Sequence, residues 1–310
     1  MKQDDRIRWQ TTALDLVFDA IAASETLSKL LVFKGARILN ILLDTQQRQS
    51  LDIDSNILDN NFGRDFPSRQ AQAEYLQQEF RNALSSFFQQ MVPQSYVLKN
   101  LTVKVKPRNQ GHPRGWNAFE VRINLDDLLK PGVRGLPVLT IDIAAPEELL
   151  DNSLVPIKDG KIQVYRIERI AGEKLRAFLS SLPAYRRKLS ERPRNVRAKD
   201  LYDIARIMQR YQLRKNTEFW YRVSQDFHIA CKSRFVDCKG LESFAENLPV
   251  TRKSYIETAT IPDDITFEEA WAVITKLVVF FEENKVLPFD FPLKSLSESS
   301  EENKGWVNSI

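Results

Sequence analysis

Apolar residues recur at helical spacing through residues 8–31, where Leu14, Val17, Phe18, Ile21 and Ala22 fall on one face. The spacing predicts a helix there, then a short strand at 31–33, a helix over 37–43 and a strand over 50–58. A long helix follows over 69–91, with Tyr75, Leu76, Phe80, Leu84, Phe87 and Phe88 on one side and Pro93 just past its end. Alternating apolar and polar residues bounded by Pro and Gly predict strands over 96–105, 118–125 and 138–143, and a short one at 162–165. Beyond residue 168 the period becomes 3.6, and helices are expected over 168–182, 198–212, 216–230, 239–247 and 266–284. The chain therefore reads as α+β: a mixed sheet with flanking helices over 1–166, a helical domain over 167–292, and a polar, disordered tail over 293–310.

Placed on these elements, two short segments carry candidate chemistry. Gly35-Ala36 sits between the apolar run ending at Phe33 and the helix over 37–43, a strand-to-helix turn. Small residues there let a phosphate approach the backbone N–H groups of a helix N-terminus. Asp52 and Asp54 are alternate residues of the next expected strand, so both carboxylates are expected on one face, roughly 7 Å apart at the backbone. Two carboxylates so placed can converge on one or two divalent cations. A D-x-D alone is weak, because acidic residues often edge strands; the phosphate turn just upstream is what raises it.

Composition narrows the classes. With 310 residues, 43% hydrophobic and 28% charged, the chain is long enough for two domains and reads as an ordinary globular protein. No apolar run approaches a membrane span, and the first residues lack the apolar core of a signal peptide, so a cytoplasmic location is expected. Cys231 and Cys238 are the only cysteines and His112 and His228 the only histidines. That set is too small for a closed zinc site, and it leaves chemistry to carboxylates, lysines and arginines. The net charge of +4 is unevenly spread. Arg186, Arg187, Lys188, Arg192, Arg194, Arg197 and Lys199 form one basic run, and Lys104, Lys106, Arg108 and Arg114 another. Each suits polyphosphate or RNA, and each suits a solvated loop nearly as well.

Three charges interrupt apolar patterns. Asp142 lies in Leu139-Thr140-Ile141-Asp142-Ile143, where a strand carboxylate is expected to face a cation. Lys174 falls inside the apolar stripe of the 168–182 helix, and buried lysines are rare unless paired or functional. Asp200 flanks the apolar face of the next helix, within reach of Lys174, while Asp203 is expected further round, toward solvent.

Four motifs in order then carry a resemblance: Phe33-Lys34-Gly35-Ala36-Arg37-Ile38-Leu39; Ser50-Leu51-Asp52-Ile53-Asp54; Ile170-Ala171-Gly172-Glu173-Lys174-Leu175-Arg176-Ala177; and Arg197-Ala198-Lys199-Asp200-Leu201-Tyr202-Asp203-Ile204. The sequence resembles the AbiEii/AbiGii-type nucleotidyltransferase toxins, members of the DNA polymerase beta-like nucleotidyltransferase superfamily. The resemblance implies a nucleotidyltransferase fold over 1–166 and a toxin of a type IV toxin–antitoxin or abortive-infection system active in phage defence. It implies a metal-dependent transferase that moves a nucleotide from a nucleoside triphosphate to an acceptor hydroxyl, with tRNA the favoured acceptor and a cognate antitoxin as possible partner. Asp52, Asp54 and Asp142 would hold Mg²⁺ or Mn²⁺. Lys34, Gly35, Ala36, Arg37, Ser50 and Lys174 would bind the nucleotide, and Lys174 with Asp200 or Asp203 would complete the catalytic set. Arg186, Arg187, Lys188, Arg192, Arg194 and Arg197 would hold RNA. Ala36-Arg37 departs from the family's usual small and hydroxyl residues, which keeps a second reading open: a catalytically silent nucleotidyltransferase-fold protein that binds nucleotide or RNA.

Overall fold

The computed structural model describes residues 3–45, 50–58, 62, 65–106, 118–133, 135–144, 151–158 and 160–293. Arg108, His112, Arg114 and the tail from residue 294 onward lie outside them. Contacts divide the chain into two compact units, one built mainly from residues up to Arg166 and the other mainly from Ile167 onward.

The first unit is a seven-stranded mixed sheet with helices. Its elements are α1 (Gln3–Ala23), α2 (Glu25–Leu30), β1 (Leu31–Lys34), α3 (Gly35–Leu43), β2 (Ile53–Ile57), α4 (Arg69–Gln90), β3 (Tyr96–Lys106), β4 (Ala118–Asp127), β5 (Leu139–Ala144), β6 (Asn152–Ile157) and β7 (Gly160–Tyr165). The strands lie in the order β3-β4-β5-β2-β1-β7-β6. β1 runs parallel to β7 and β2 parallel to β5, while the other neighbours are antiparallel. β4 and β5 alternate strictly, with Phe119, Val121, Ile123, Leu139, Ile141 and Ile143 buried and the residues between them half-buried. α4 packs on β3 and α1 on α4; Phe80, Leu84 and Phe88 are buried, each worth roughly 1.5–3 kcal/mol. Trp9 of α1 donates its indole N–H to the buried carboxylate of Asp127 at 2.9 Å, which fixes the helix against the end of β4.

Two expectations change here, and one strand, β6, was not foreseen. The helix read over 8–31 breaks at Ser24, whose hydroxyl accepts from the Leu27 N–H and caps a separate α2. The strand read over 50–58 joins the sheet only from Ile53 to Ile57, so no ladder holds Asp52. β6 had no clear alternation and contains Pro156; it occupies the sheet edge, where a missing N–H costs no ladder bond.

The second unit is helical: α5 (Ile167–Ser181), α6 (Pro183–Lys188), α7 (Lys199–Arg210), α8 (Thr217–Arg234), α9 (Leu241–Ala245), α10 (Leu248–Glu257) and α11 (Phe267–Glu283). α6 and α10 were not anticipated; both are short and carry Pro near the N-terminus, so neither spans enough turns to show a stripe. α5 packs on α7 and α8. Its Gly172 is required by close approach, because a Cβ would come within 2.6 Å of the Phe227 backbone nitrogen. At the same crossing the buried Arg169 reaches Glu173 at 3.5 Å and Asp226 at 3.4 Å. A capping box between Thr266 and Glu269 starts α11. Cys231 and Cys238 are buried free thiols; burial raises both, Cys238 to about 12, so neither is a thiolate at neutral pH. Among the described residues no helix is long and apolar enough to cross a membrane.

Candidate active site

Sheet register assembles the first half of the candidate chemistry. Asp54 on β2 is the partner of Lys34 on β1 and of Asp142 on β5. Asp142 is in turn the partner of Glu120 on β4, and Glu120 of Lys104 on β3. Cross-strand partners share a face, so Lys34, Asp54, Asp142, Glu120 and Lys104 form one charged row across five adjacent strands, all half-buried. Neighbouring members start from backbones about 5 Å apart. Asp54 and Asp142 therefore share a face, whereas Asp52, expected to share the Asp54 face of one strand, lies before the ladder begins. Glu120 and Lys106 were not anticipated as part of the row. The alternation of β4 put Glu120 on its polar face, but only the β4–β5 register, which is non-local, puts it beside Asp142.

Lys106 lies two residues beyond Lys104 on the same strand and turns back onto the row. Its ammonium sits 2.6 Å from Glu120 Oε2 and 3.2 Å from Asp142 Oδ1. Burial alone would lower the Lys106 ammonium, but its bonds to Glu120 and Asp142 override that and raise it. The same bond to Lys106 holds Glu120 below the usual carboxylate range.

The turn between β1 and α3 abuts Asp54. Gly35 has φ +83°, the left-handed region that favours glycine, and a Cβ there would collide with Asp54 Oδ2. The carboxylate thus rests against the first residue of α3, whose leading N–H groups have no partner within the helix. We expect Gly35→Ala to destabilise the protein by about 1–2 kcal/mol from backbone strain alone. It should also displace Asp54 and so lower catalytic turnover by about a hundredfold. Thermal unfolding and an activity assay on the same preparation check the two effects together.

Lys34 lies over the Tyr165 ring at 5.1 Å. Arg37 pairs with Asp15 of α1 and donates to the Ser50 carbonyl at 3.1 Å. The Ser50 hydroxyl donates to Asp52 Oδ1 at 2.9 Å. Among the described residues no three His, Cys, Asp or Glu side chains are gathered to hold a metal ion. In donor chemistry alone, Asp52, Asp54 and Asp142 offer the carboxylate oxygens that a hard divalent cation takes.

In the helical unit Lys174 of α5 is buried and meets Asp200 of α7 at 3.5 Å and Asp203 more closely still. Asp203 does not face solvent as its helical position suggested; it is 2% exposed. α7 is covered on a wide arc, with every residue from Asp200 to Ile207 buried, so both aspartates lie inside and a lysine between them offsets their charge. Arg197 closes on Asp200 at 2.6 Å. On the same helix Tyr202 donates to Asp264, and burial with that bond pushes its hydroxyl up to about 12.

The basic run largely meets acidic partners. Arg186 pairs with Glu191, Arg187 with Glu246 and Lys188 with Asp237, while Arg187, Arg192, Arg194 and Arg197 are exposed. Asp237 would be raised by burial, but the Lys188 ammonium and the Phe291 N–H hold it below the usual range. A depressed carboxylate contributes stability above its unfolded value and loses it as pH falls through the lower folded value. The unfolding temperature should therefore fall below about pH 4, and Asp237→Asn should flatten that acid limb.

A model of the AbiEii family, described as nucleotidyl transferase AbiEii toxin of type IV toxin–antitoxin systems, matches residues 16–284. That span runs well past the last of the four motifs. No curated protein matches. Among solved structures, JHP933 from Helicobacter pylori is similar at 16% identity and a TM-score of 0.48, covering 96% of this chain and 97% of that one. MenT4, a nucleotidyltransferase toxin from Mycobacterium tuberculosis, is similar at 13% identity and a TM-score of 0.45, covering 90% of this chain and 87% of that one.

Proposed function

The chain belongs to the AbiEii family of type IV toxin–antitoxin nucleotidyltransferases, and from that premise we propose that it transfers a nucleotide from a nucleoside triphosphate to an RNA hydroxyl, tRNA first, with a divalent cation. The observation that carries this reading is the pairing of Asp54 with Asp142 on one face of the sheet, beside the Gly35 turn that opens α3.

The leading N–H groups of α3 would receive phosphate oxygens, with the helix dipole favouring their charge. Lys34, next to Asp54 in the row, would offset further triphosphate charge. Asp52, Asp54 and Asp142 would hold Mg²⁺ or Mn²⁺. Such an ion, when bound, neutralises charge on the triphosphate and lowers the pKa of a hydroxyl it touches. Asp142 would orient the acceptor hydroxyl and take its proton. The hydroxyl oxygen then bonds to the α-phosphorus, the bond from that phosphorus to the β-phosphate's bridging oxygen breaks, and pyrophosphate leaves. The exposed Arg187, Arg192 and Arg194 would bind RNA phosphates, an attraction that weakens as salt rises. Lys174 and Asp203 keep their motif positions, and we assign them to the same reaction as residues whose loss removes activity. Family membership also supports a cognate antitoxin and a role in abortive infection, to be sought as a neighbouring gene that restores growth.

Purified protein incubated with each labelled nucleoside triphosphate, Mg²⁺ and total tRNA tests the acceptor. Label on tRNA supports the reading. Label only on protein in a lysate would move the acceptor to a protein hydroxyl. No label with any nucleotide, while tRNA is still bound, would leave the silent binding protein.

A further inference from the structure

We propose that Arg37 is a positioning residue for Asp52 and takes no part in phosphate binding; this rests on the reading of Asp52 as part of the transfer site. The first motif places an arginine where a small hydroxyl residue is usual, and a cation at a phosphate turn invites the opposite assignment. The structure gives the guanidinium other work. One Nη pairs with Asp15, and the other donates to the Ser50 carbonyl at 3.1 Å. The side chain is 11% exposed, so it runs beneath the surface.

What it holds is the stretch that the sheet leaves unheld. The β2 ladder begins at Ile53, so residues 50–52 have no strand partner. They are tied to α1 instead, by Arg37 through Asp15 and by Gln10, whose side-chain amide donates to the Leu51 carbonyl at 2.9 Å. From Ser50 the connection passes to the carboxylate itself: the hydroxyl donates its one proton to Asp52 Oδ1 at 2.9 Å, with the Asp52 carbonyl also within reach at 3.1 Å. The chain of contacts is thus Asp15, Arg37, Ser50, Asp52. An arginine suits this place because its rigid planar fork holds one Nη toward a carboxylate and the other toward a carbonyl in fixed geometry.

A phosphate ligand and a positioning residue fail differently when altered. If Arg37 positions Asp52, Arg37→Ala and Asp15→Asn should act alike. Each should lower kcat by about a hundredfold, leave the affinity for nucleoside triphosphate in EDTA within about twofold, and raise amide exchange in a peptide covering residues 50–54 at least fivefold, with a peptide from α4 unchanged. Arg37→Lys should recover part of both, and the exchanged pair Asp15→Arg with Arg37→Asp should recover more than either single change. Asp15 is 59% exposed at its side chain, so Asp15→Asn keeps the fold if Arg37→Ala does not. Unchanged exchange at 50–54 in Asp15→Asn, or a loss of nucleotide affinity on Arg37→Ala that Asp15→Asn does not share, would overturn the proposal. The exchange readout needs no turnover. A wild-type protein that transfers no label would overturn the proposed function while leaving the exchange result to decide the role of Arg37.

Discussion

Asp54→Asn is expected to lower nucleotidyl transfer by about a thousandfold or more, close to 4 kcal/mol of transition-state stabilisation. The change is isosteric and removes only charge. Asp54, the second residue of β2, lies between Lys34 and Asp142 and rests against Gly35, so its carboxylate meets both the Gly35 turn and the charged row. Asn keeps the strand, its ladder bonds and the packing against the glycine, so stability should move by less than about 1 kcal/mol. Asp142→Asn should also reduce transfer strongly, and by freeing one of the two partners of Lys106 it should draw that ammonium wholly onto Glu120. Circular dichroism and an unfolding curve on each variant separate lost chemistry from lost structure. Transfer within tenfold of wild type by folded Asp54→Asn would remove this carboxylate from the site.

The second large effect concerns stability. Asp203→Ala should destabilise the helical unit by about 3–5 kcal/mol, because it removes the closest partner of a lysine that is 6% exposed. Asp200 remains, but it stands at 3.5 Å and is already engaged at 2.6 Å by Arg197. Lys174→Met alone should cost a similar amount by leaving two buried aspartates facing each other. The double change Lys174→Met with Asp203→Leu removes the pair, exchanges it for apolar volume and should recover most of the loss, since Arg197 still pairs with Asp200. Urea unfolding midpoints decide this. The same double variant also separates structure from chemistry: restored stability without restored transfer assigns Lys174 and Asp203 a part in the reaction.

What could be read from the sequence was what lies close together along it. The β1 turn and the start of α3 were legible because an apolar run, one glycine and a 3.6-residue pattern follow directly on each other. Asp142 was legible because a lone carboxylate in an apolar alternation has few explanations. Lys174 and Asp200 were legible for a related reason, a charge at the edge of an apolar stripe. Asp203 was misplaced because a helical wheel gives direction without telling how wide an arc neighbouring helices cover. Glu120 was missed, and Lys106 was read only as part of a basic run, because strand register decides their place beside Asp142, and register depends on pairings across tens of residues. Arg37 was legible as an anomaly but its partner was not; Asp15 lies on α1, with α2 and β1 between it and α3, and no local pattern links the two. Ser24 was passed over because the apolar periodicity runs on across the break.

The central claim is that the Asp54–Asp142 row beside Gly35 carries out nucleotide transfer. The most direct measurement is label transfer from a radiolabelled nucleoside triphosphate to total tRNA, run side by side with wild-type protein and folded Asp54→Asn, with Mg²⁺ and with EDTA. The account predicts label on RNA with wild type and Mg²⁺ only. Equal labelling by Asp54→Asn, or labelling by wild type that persists in EDTA, would contradict it.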